Sequence, residues 1–437
     1  MAVWSETALS SVENNWGRFD AEYYKPDFLE TEKLLSKIQG VSLRNSCSKI
    51  DVGHVGPMVR FYTDDGTTLL QTQNVREFFL DLEHCIKVTP EFHASLTKSQ
   101  VRKGDILIAR SGSFGASAIY LENKVINSAD IIIVELNDQR IDPLFAVAFM
   151  NTKYGSNQLM RFASGGVQRH VNLRILENFF LPIFEHNLQK QISTNVQRAY
   201  DALQSSSESY QQAQHLLESN LDLDKLDFKK PLRYTARFST IGLSDALNAG
   251  RIDAQCFAPN AMFYENWLRN HAQCKRLSHL IEAMVKGRQQ EENAKGSTDY
   301  CSIKHISGHE LTEASKCQPA TDTPLAIQEN LLLAITGATI GKVGIVKRYK
   351  KLAFSGDLLC LKTNSEINPH YLLVALDHTI GQVQFNRWIT GSTNGHLAPR
   401  DVGRVLVPRL NKGIEAHIAG LVEKSLNKRV ESEKLVV

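Results

Sequence analysis

The sequence predicts an α+β fold in which two similar domains of mixed α/β structure are separated by two long antiparallel helices that form a coiled coil. Three observations predict it: the chain repeats itself, short apolar runs alternate with turn-rich stretches, and an apolar heptad pattern follows each copy of the repeat. With 437 residues, of which 42% are hydrophobic and 22% charged, the chain has the composition of a globular protein and exceeds one ordinary domain of about 150 residues.

The internal repeat is clearest around two stretches that end in histidine. Residues 162–170 align with residues 388–396, which lie 226 positions further along the chain. A glycine-containing run upstream, residues 104–112, aligns with residues 329–337 at nearly the same offset. Small changes of offset are expected where surface loops gain or lose residues. The chain is therefore predicted to consist of two copies of one unit.

Within each copy, apolar runs of strand length alternate with turn-forming residues. In the first copy the predicted strands are residues 69–75, 106–109, 118–120 and 131–136, and a short helix is predicted over 151–163. Strands and helices that mix without strict alternation favour an α+β domain on an antiparallel or mixed sheet.

An apolar heptad pattern follows each copy and predicts a long helix in each place. The predicted helix-pair interface consists of Ile192, Val196, Ala199, Leu203, Tyr210, Leu217, Ile418, Val422, Leu426 and Val430. Because a lone helix cannot leave such a stripe exposed, the two helices are expected to pack on each other. They are expected to be antiparallel because the copies are equivalent. The alternative is that each helix folds back on its own domain.

Two motifs in each copy resemble the signature of the specificity (S) subunits of Type I restriction–modification systems. The first copy has them at residues 104–115 and 164–170, and the second copy at 336–341 and 390–396. The resemblance covers essentially the whole chain, including the order of domains and helices. It implies target recognition domains at residues 1–186 and 225–411, a central helix at 187–224 and a C-terminal helix at 412–437.

The resemblance implies a protein that recognises DNA sequence and is not itself an enzyme. Each recognition domain is expected to read one half of a bipartite, asymmetric site, and the helices to set the spacer and dock two adenine-methyltransferase (modification) subunits. About 32 helical residues would span roughly 48 Å, or about 14 base pairs of B-DNA. The alternative is a free-standing bipartite DNA-binding protein, a regulator or orphan competitor without methyltransferase partners. An enzyme of unrecognised mechanism is a third hypothesis.

Partners and compartment follow from the same reasoning. No cofactor is expected in this chain: the resemblance assigns S-adenosylmethionine to the partner methyltransferase, and ATP and Mg²⁺ to restriction subunits that join the complex. The 7 cysteines include no Cys-x-x-Cys pair, which suits reduced thiols in a cytoplasm. No apolar run approaches the roughly 18 residues of a membrane span. The net charge of +3 neither demands nor excludes nucleic acid.

Candidate DNA contacts are polar and basic side chains beside strand ends and glycine turns, since these groups can pair with base edges and phosphates. In the first copy they are Gln71, Gln73, Asn74, Arg76, Arg110, Ser111, Ser113, Arg161, Gln168, Arg169 and His170. In the second copy they are Lys286, Arg288, Gln289, Lys304, His305, Lys342, Arg387, Asn394 and His396. For any one of them, a solvated side chain or a structural turn is the alternative.

Other chemistries find little support in the sequence. The run from Gly337 to Val343 lacks the spacing and the final Ser or Thr of a phosphate-binding loop. Cys301, His305, His309 and Cys317 match no strong zinc-ligand spacing. No nucleophile–base arrangement stands out. The sequence therefore predicts a binding subunit without a metal site.

Overall fold

A computed structural model describes residues 4–14, 19–83, 85–110, 115–164, 170–171, 173–226, 250–391 and 394–436 of the chain. The chain divides into two compact units. The first unit comprises Met1–Asp201 together with Glu431–Val437, and the second comprises Ala202–Val430. Copy one of the repeat denotes residues 1–186, and copy two denotes residues 225–411.

Copy one and the helix after it contain short strands mixed with helices. The helices are α1 (Leu9–Asn14), α2 (Pro26–Leu35), α3 (Leu43–Ser46), α4 (Pro90–Ser95), α5 (Pro143–Asn151), α6 (Lys153–Phe162), α7 (Leu173–Leu176) and α8 (His186–Asn220). The strands are β1 (Gly40–Ser42), β2 (Cys47–Val52), β3 (Tyr62–Thr63), β4 (Thr67–Leu70), β5 (Ile86–Val88), β6 (Gln100–Val101), β7 (Ile106–Ala109), β8 (Ser117–Ile119), β9 (Ile126–Ser128), β10 (Ile131–Leu136), β11 (Ala163–Ser164), β12 (His170–Val171) and β13 (Phe180–Pro182).

Copy two and the C-terminal helix show the same mixture. The helices are α9 (Pro259–His271), α10 (Pro369–Asp377), α11 (Thr379–Trp388), α12 (Pro399–Val402) and α13 (Lys412–Val436). The strands are β14 (Gln273–Arg276), β15 (Ile281–Lys286), β16 (Thr298–Cys301), β17 (Ile306–Ser307), β18 (Glu310–Leu311), β19 (Ser315–Cys317), β20 (Leu325–Ile327), β21 (Leu331–Ala334), β22 (Val343–Ile345), β23 (Lys351–Phe354), β24 (Leu358–Thr363) and β25 (Leu406–Arg409).

The sheets repeat between the two copies. One sheet of copy one has the antiparallel order β2-β10-β7-β8, which recurs as β15-β24-β21-β22 in copy two. A second sheet contains β5-β4-β9-β6, which recurs as β19-β16-β23-β20, and in both the middle pair of strands is parallel. The pair β1-β13 likewise recurs as β14-β25. The predicted fold class, α+β with two similar domains, is confirmed.

Local chemistry explains why equivalent helices begin at equivalent places. α5 starts with a proline after Asp142, whose carboxylate accepts a hydrogen bond from the backbone N–H of Leu144 at 2.8 Å. α10 starts with a proline after Asn368, whose side chain accepts from the N–H of His370 at 2.8 Å. Side chains of this type satisfy N–H groups that a helix leaves unpaired, and proline at the first position removes one such donor.

Most predicted strands of copy one are confirmed, and one of them ends early. Strands β7, β8 and β10 and helix α6 occupy the predicted stretches to within a few residues. The predicted strand over residues 69–75 instead ends at Leu70, and a 3-10 turn follows at Thr72–Asn74. The turn forms because the side chain of Asn74 bonds the backbone of Gln71, which a continuing strand would not allow.

Helices α8 and α13 are antiparallel. α8 has 35 residues and α13 has 25. The hydroxyl of Ser432 donates to the carbonyl of Ala199 at 2.7 Å, and the hydroxyls of Ser206 and Ser425 lie 3.0 Å apart. A step of seven residues forward along α8 therefore matches a step of seven residues backward along α13. The predicted antiparallel helix pair is confirmed.

The buried stripe of the pair follows the predicted positions with one shift. Val196, Ala199, Tyr210, Leu217, Ile418, Val422 and Leu426 are buried, whereas Ile192, Leu203 and Val430 are half-buried. Ala202 is buried beside Leu203. Since Tyr210 and Leu217 are buried again further along α8, this shift is confined to one turn of the helix.

The second halves of the two helices also pack on copy two. Tyr210 and Leu217 of α8, and Val422 of α13, belong to one apolar cluster with core residues of copy two such as Leu331 and Leu372. The helices therefore pair with each other and, in the second unit, share a core with the sheets. Among the described residues, no helix is both long and apolar enough to cross a membrane.

Candidate nucleic-acid interface

The first candidate region is the 3-10 turn after β4. Asn74 is buried, and its side chain accepts from the N–H of Gln71 at 2.8 Å and donates to the carbonyl of Asp81 at 3.1 Å. Gln73 is exposed and donates to the side chain of Gln71 at 3.0 Å, and Arg76 is exposed as well. The turn therefore presents Gln71, Gln73 and Arg76 outward, while Asn74 holds the turn together.

Copy two builds the same turn from different residues. The N–H of Ser302 donates to Nδ1 of His305 at 2.9 Å, and His305 is only 7% exposed. Burial and the nearby charge of Lys304 lower the pKa of His305. Lys304 is exposed and its ammonium lies 2.7 Å from a carboxylate oxygen of Glu292. His305 thus has the same structural role as Asn74 in copy one, and Lys304 is the outward candidate.

An aspartate between the two sheets of copy one links the candidate Arg110 to the turn after β4. Asp130 lies in the link from β9 to β10, with a backbone φ of 53°. Its carboxylate is 2.9 Å from Nη1 of Arg110, and its carbonyl accepts from the hydroxyl of Thr72 at 3.2 Å. The exit of β7 is therefore tied to the turn after β4. We call Gln71, Gln73, Arg76 and Arg110 the first reading face.

Asp357 occupies the equivalent link, from β23 to β24, in copy two. Its carboxylate accepts from the hydroxyl of Thr336 at 2.6 Å, and its carbonyl accepts from the N–H of Ile335 at 2.9 Å. Thr336 forms a backbone bridge with His396, and the N–H of Gly337 donates to the carbonyl of Gly395 at 3.3 Å. The structure therefore places the glycine turn next to the loop that contains His396.

Glycines make this contact possible at two positions. Gly337 has a φ of 79° and Gly391 a φ of 96°, values that other residues rarely adopt. A Cβ atom on Gly391 would also lie 2.5 Å from the carbonyl oxygen of Asn394. The tight loop leaves Asn394 exposed and His396 half-exposed.

The basic exit of β15 lies beside the link that contains Asp357. Lys286, Arg288 and Gln289 are exposed, and the backbone N of Gln289 is within 4 Å of the position of a Cβ on Gly356, the neighbour of Asp357. The guanidinium of Arg288 is 2.7 Å from the carboxylate of Asp322, and both side chains are more than half exposed. Exposed pairs of this kind contribute little to stability, so the guanidinium remains accessible to another anion.

We call this set of exposed or half-exposed side chains the second reading face. It consists of Lys286, Arg288, Gln289, Lys342, Asn394 and His396.

Arg161 is buried and holds the N-terminal segment of copy one. Its Nε donates to the carbonyl of Tyr23 at 3.1 Å, its Nη1 lies 3.0 Å from the carboxylate of Glu32, and its guanidinium stacks 4.2 Å from the ring centre of Tyr23. With a side chain only 7% exposed, Arg161 has little surface left for a phosphate.

Arg387 does the same in copy two. Its Nε donates to the carbonyl of Cys256 at 2.8 Å, its Nη1 pairs with Glu265, and its guanidinium lies 4.8 Å from the ring centre of Trp388. The repeat relates these partners to those of Arg161. The two arginines that the sequence pairs are therefore structural anchors in this structure.

Several candidates lie outside the described residues. They are Ser111, Ser113, Gln168 and Arg169. The backbone of His170 pairs with Ser164 in the β11-β12 hairpin, and its side chain is outside the description.

Sequence reasoning missed Asp130 and Asp357, which organise the two faces. Both follow a serine by two positions and precede the apolar run of a central strand, at an offset of 227 residues. The repeat alignment could have found them. An acidic residue was not expected beside basic candidates, and here Asp130 pairs with Arg110 while Asp357 bonds Thr336.

The described residues contain no group of three or more His, Cys, Asp or Glu side chains placed to hold a metal ion. Cys301 is buried, which raises its pKa to about 12, and His309 pairs with Asp377 at 3.0 Å. These two candidates of the zinc set are therefore engaged elsewhere. The predicted absence of a bound metal stays a prediction.

Comparison with known proteins finds a family that matches part of the chain. Residues 61–214 match the family described as the Type I restriction modification DNA specificity domain. This match confirms the resemblance to Type I specificity subunits over that stretch of the chain. The matched range contains the first reading face and most of α8.

One relative agrees with this match. The chain is 25% identical over 137 residues to the specificity subunit of the Type I restriction enzyme EcoBI from Escherichia coli. The aligned stretch is 31% of this chain and 29% of that subunit, so it spans less than a third of the relative's length. The activity of the whole relative is therefore carried to this chain only as a proposal.

Two solved structures of similar length also align. The S subunit of a Type I restriction–modification system from M. genitalium aligns over 91% of both chains with 12% identity and a TM-score of 0.41. The HsdS subunit from Thermoanaerobacter tengcongensis aligns over 91% of both chains with 13% identity and a TM-score of 0.30.

Proposed function

We propose that this chain is the non-catalytic specificity subunit of a Type I restriction–modification complex, in which each copy reads one half of a bipartite, asymmetric DNA site. The observation that carries the proposal is the duplication: the same sheets and the same aspartate-centred face occur twice, each followed by a long helix. A family match to a DNA specificity domain in the first copy supports it.

The side chains on the two faces suit the two kinds of DNA contact. Gln71, Gln73, Gln289 and Asn394 carry the paired donor and acceptor with which amides recognise adenine in the major groove. Arg76, Arg110, Lys286, Arg288, Lys304 and Lys342 suit phosphates or guanine. Ser111, Ser113, Gln168, Arg169 and His170 are proposed to extend the first face, and His396 belongs to the second.

The buried candidates are assigned a supporting role. Asn74, His305, Arg161 and Arg387 bond the protein's own backbone or its carboxylates, and we infer that they shape the two faces rather than touch DNA. A buried charged group that lost its partner to reach DNA would leave another group unpaired, which is costly.

The helix pair and the partners complete the proposal. α8 has 35 residues, about 52 Å of helix, and is proposed to set the spacer between the half-sites with α13. Two modification subunits dock on the helices and supply S-adenosylmethionine and the chemistry of adenine methylation. Restriction subunits supply ATP hydrolysis with Mg²⁺. The complex is placed in the cytoplasm, where its DNA and cofactors are.

Expression in a host free of adenine methylation tests the proposal. The chain is produced with the modification subunits of the same genome, and methyladenine is mapped by long-read sequencing. We expect one two-part motif with a fixed spacer, and no methylation from the modification subunits alone. A contiguous motif would contradict the proposal. Bipartite binding without methylation would favour the free-standing DNA-binding protein, and turnover by the chain alone would favour an enzyme.

A further inference from the structure

A tyrosine of α8 contacts two residues of copy two, which also contact each other. The ring of Tyr210 stacks on the imidazole of His309, with centres 3.8 Å apart and an angle of 10° between the rings. The Tyr210 hydroxyl donates to Oδ2 of Asp377 at 2.9 Å, and Nε2 of His309 lies 3.0 Å from the same oxygen. Tyr210 is 5% exposed. The stacked ring and the hydroxyl bond therefore together fix both the position and the orientation of the Tyr210 side chain.

A second contact lies two turns further along the same face of α8. Nε2 of His378 is 2.9 Å from Oε1 of Glu218, and Nδ1 of His378 accepts from the N–H of Ile380 at 3.3 Å. Since Nδ1 accepts, Nε2 carries the proton and donates to Glu218. His378 follows Asp377 directly in the chain. One junction, between α10 and α11, thus fixes α8 at two points about 12 Å apart.

The turn that carries His309 is strained and close to α13. His309 has a φ of 70° in the short link between β17 and β18. A Cβ atom on the preceding Gly308 would overlap the guanidinium of Arg429, a residue of α13. Non-glycine residues with positive φ are costly and persist only where surrounding contacts hold them. Here the contacts that hold the turn include the stacked ring of Tyr210, the carboxylate of Asp377 and the N–H of Ile345, which donates to the carbonyl of His309 at 2.9 Å.

Copy one has a matching contact with the first half of α8. Phe78, at the equivalent position of its turn, has a φ of 67°, and the neighbouring Phe79 packs against Tyr200 with ring centres 5.7 Å apart. The hydroxyl of Tyr200 donates to Glu122. In copy two the strained residue itself, His309, contacts Tyr210, whereas in copy one the residue after the strained Phe78 contacts Tyr200. Each copy therefore contacts one tyrosine of the same helix from the equivalent turn.

We propose that Tyr210, His309, Asp377, Glu218 and His378 are positioning residues that fix the direction of α8 on copy two and thereby decide which spacer lengths the protein accepts. The inference rests on the proposed function and deepens it, because it assigns spacer selection to named side chains as well as to helix length. One extra base pair moves a half-site by about 3.4 Å along the DNA axis. The two polar contacts add directional bonds to the apolar packing of α8 on copy two, and such bonds resist a displacement of this size.

The experiment is a binding selection on DNA that contains both half-sites with spacers from two base pairs shorter to two longer than the preferred one. The complete complex with modification subunits is used. The variants are Tyr210→Phe, which keeps the ring and removes the hydroxyl bond, and Tyr210→Phe combined with Glu218→Ala, which removes both polar contacts. Gln211→Ala, at an exposed position of the same helix, is the matched control.

We expect the double variant to bind spacers one base pair away from the preferred length at least about tenfold better, relative to the preferred length, than the wild type does. The single variant should lie between the two, and Gln211→Ala should match the wild type. The half-site sequences selected should be unchanged.

Two outcomes would overturn the inference, and they are distinguishable. Equal loss of binding at every spacer, or an unchanged spacer profile, would show that the contacts only stabilise the fold. A wild-type complex without any spacer preference would overturn the proposed function itself, and the inference with it.

Discussion

The replacement Arg387→Ala distinguishes a structural anchor from a phosphate contact. The guanidinium bonds the carbonyl of Cys256 at 2.8 Å and pairs with Glu265, and the side chain is 7% exposed. Hydrogen bonds from charged groups contribute about 1.5–3 kcal/mol each. Glu265 keeps a second partner, since Arg269 lies 2.8 Å from its other oxygen. The full cost of breaking a buried pair, about 3–5 kcal/mol, is thereby reduced. We expect a loss of about 2–4 kcal/mol.

Denaturant unfolding measures the loss of unfolding free energy. Faster hydrogen exchange in α9 would show that the second unit is the part that is destabilised. The salt dependence of DNA affinity is measured alongside, because each phosphate contact contributes about 0.9 to the logarithmic slope. We expect the Arg387→Ala slope to equal that of the wild type.

The matched control is Arg288→Ala, whose side chain is exposed in its pair with Asp322. This variant should keep its stability within about 0.5 kcal/mol and lose about one unit of salt slope. If Arg387→Ala instead kept its stability and reduced the salt dependence of DNA binding, the assignment of the buried arginines as anchors would be refuted.

Two further predictions concern the core of the second unit. Burial lowers the pKa of His305 in the folded state, so the neutral imidazole is favoured there. Its contribution to stability is complete above the unfolded value of about 6.5 and is lost as the pH falls through the lower folded value. Copy one has an asparagine at this turn, so His305→Asn should keep the fold. It should also reduce the loss of unfolding free energy between about pH 7.5 and 5. An identical pH dependence of the unfolding free energy in the variant and the wild type would contradict this prediction. Leu217→Asp should lower the unfolding free energy by several kcal/mol, because Leu217 is fully buried. Leu203→Asp should lower it by less, because Leu203 is half-buried. Equal melting temperatures for the two variants would show that the helices pack differently.

The duplication, the strands and the helix pair could be predicted because each has a local signal. A constant offset relates the copies, apolar runs of four to six residues mark central strands such as β7 and β10, and a spacing of three and four residues marks α8. The starts of α5 and α10 also have a local signal, because the capping residues Asp142 and Asn368 are each followed directly by a proline.

The division of the candidates into exposed and buried residues could not be predicted. Asn74 and Gln73 are adjacent polar residues, and only the geometry of the turn directs one amide inward to the carbonyl of Asp81. Arg161 and Glu32 are far apart in sequence and meet only in the folded unit. Propensity and periodicity describe neighbours along the chain, whereas these contacts depend on how distant segments pack.

The most direct test of the central claim, that the two copies read different halves of one site, is the methylation motif of two single variants. Gln73→Ala removes an amide from the first reading face, and Asn394→Ala removes one from the second. With wild-type modification subunits, we predict that long-read sequencing shows a relaxed base in one half of the motif for the first variant and in the opposite half for the second. Relaxation of the same half by both variants would contradict the claim.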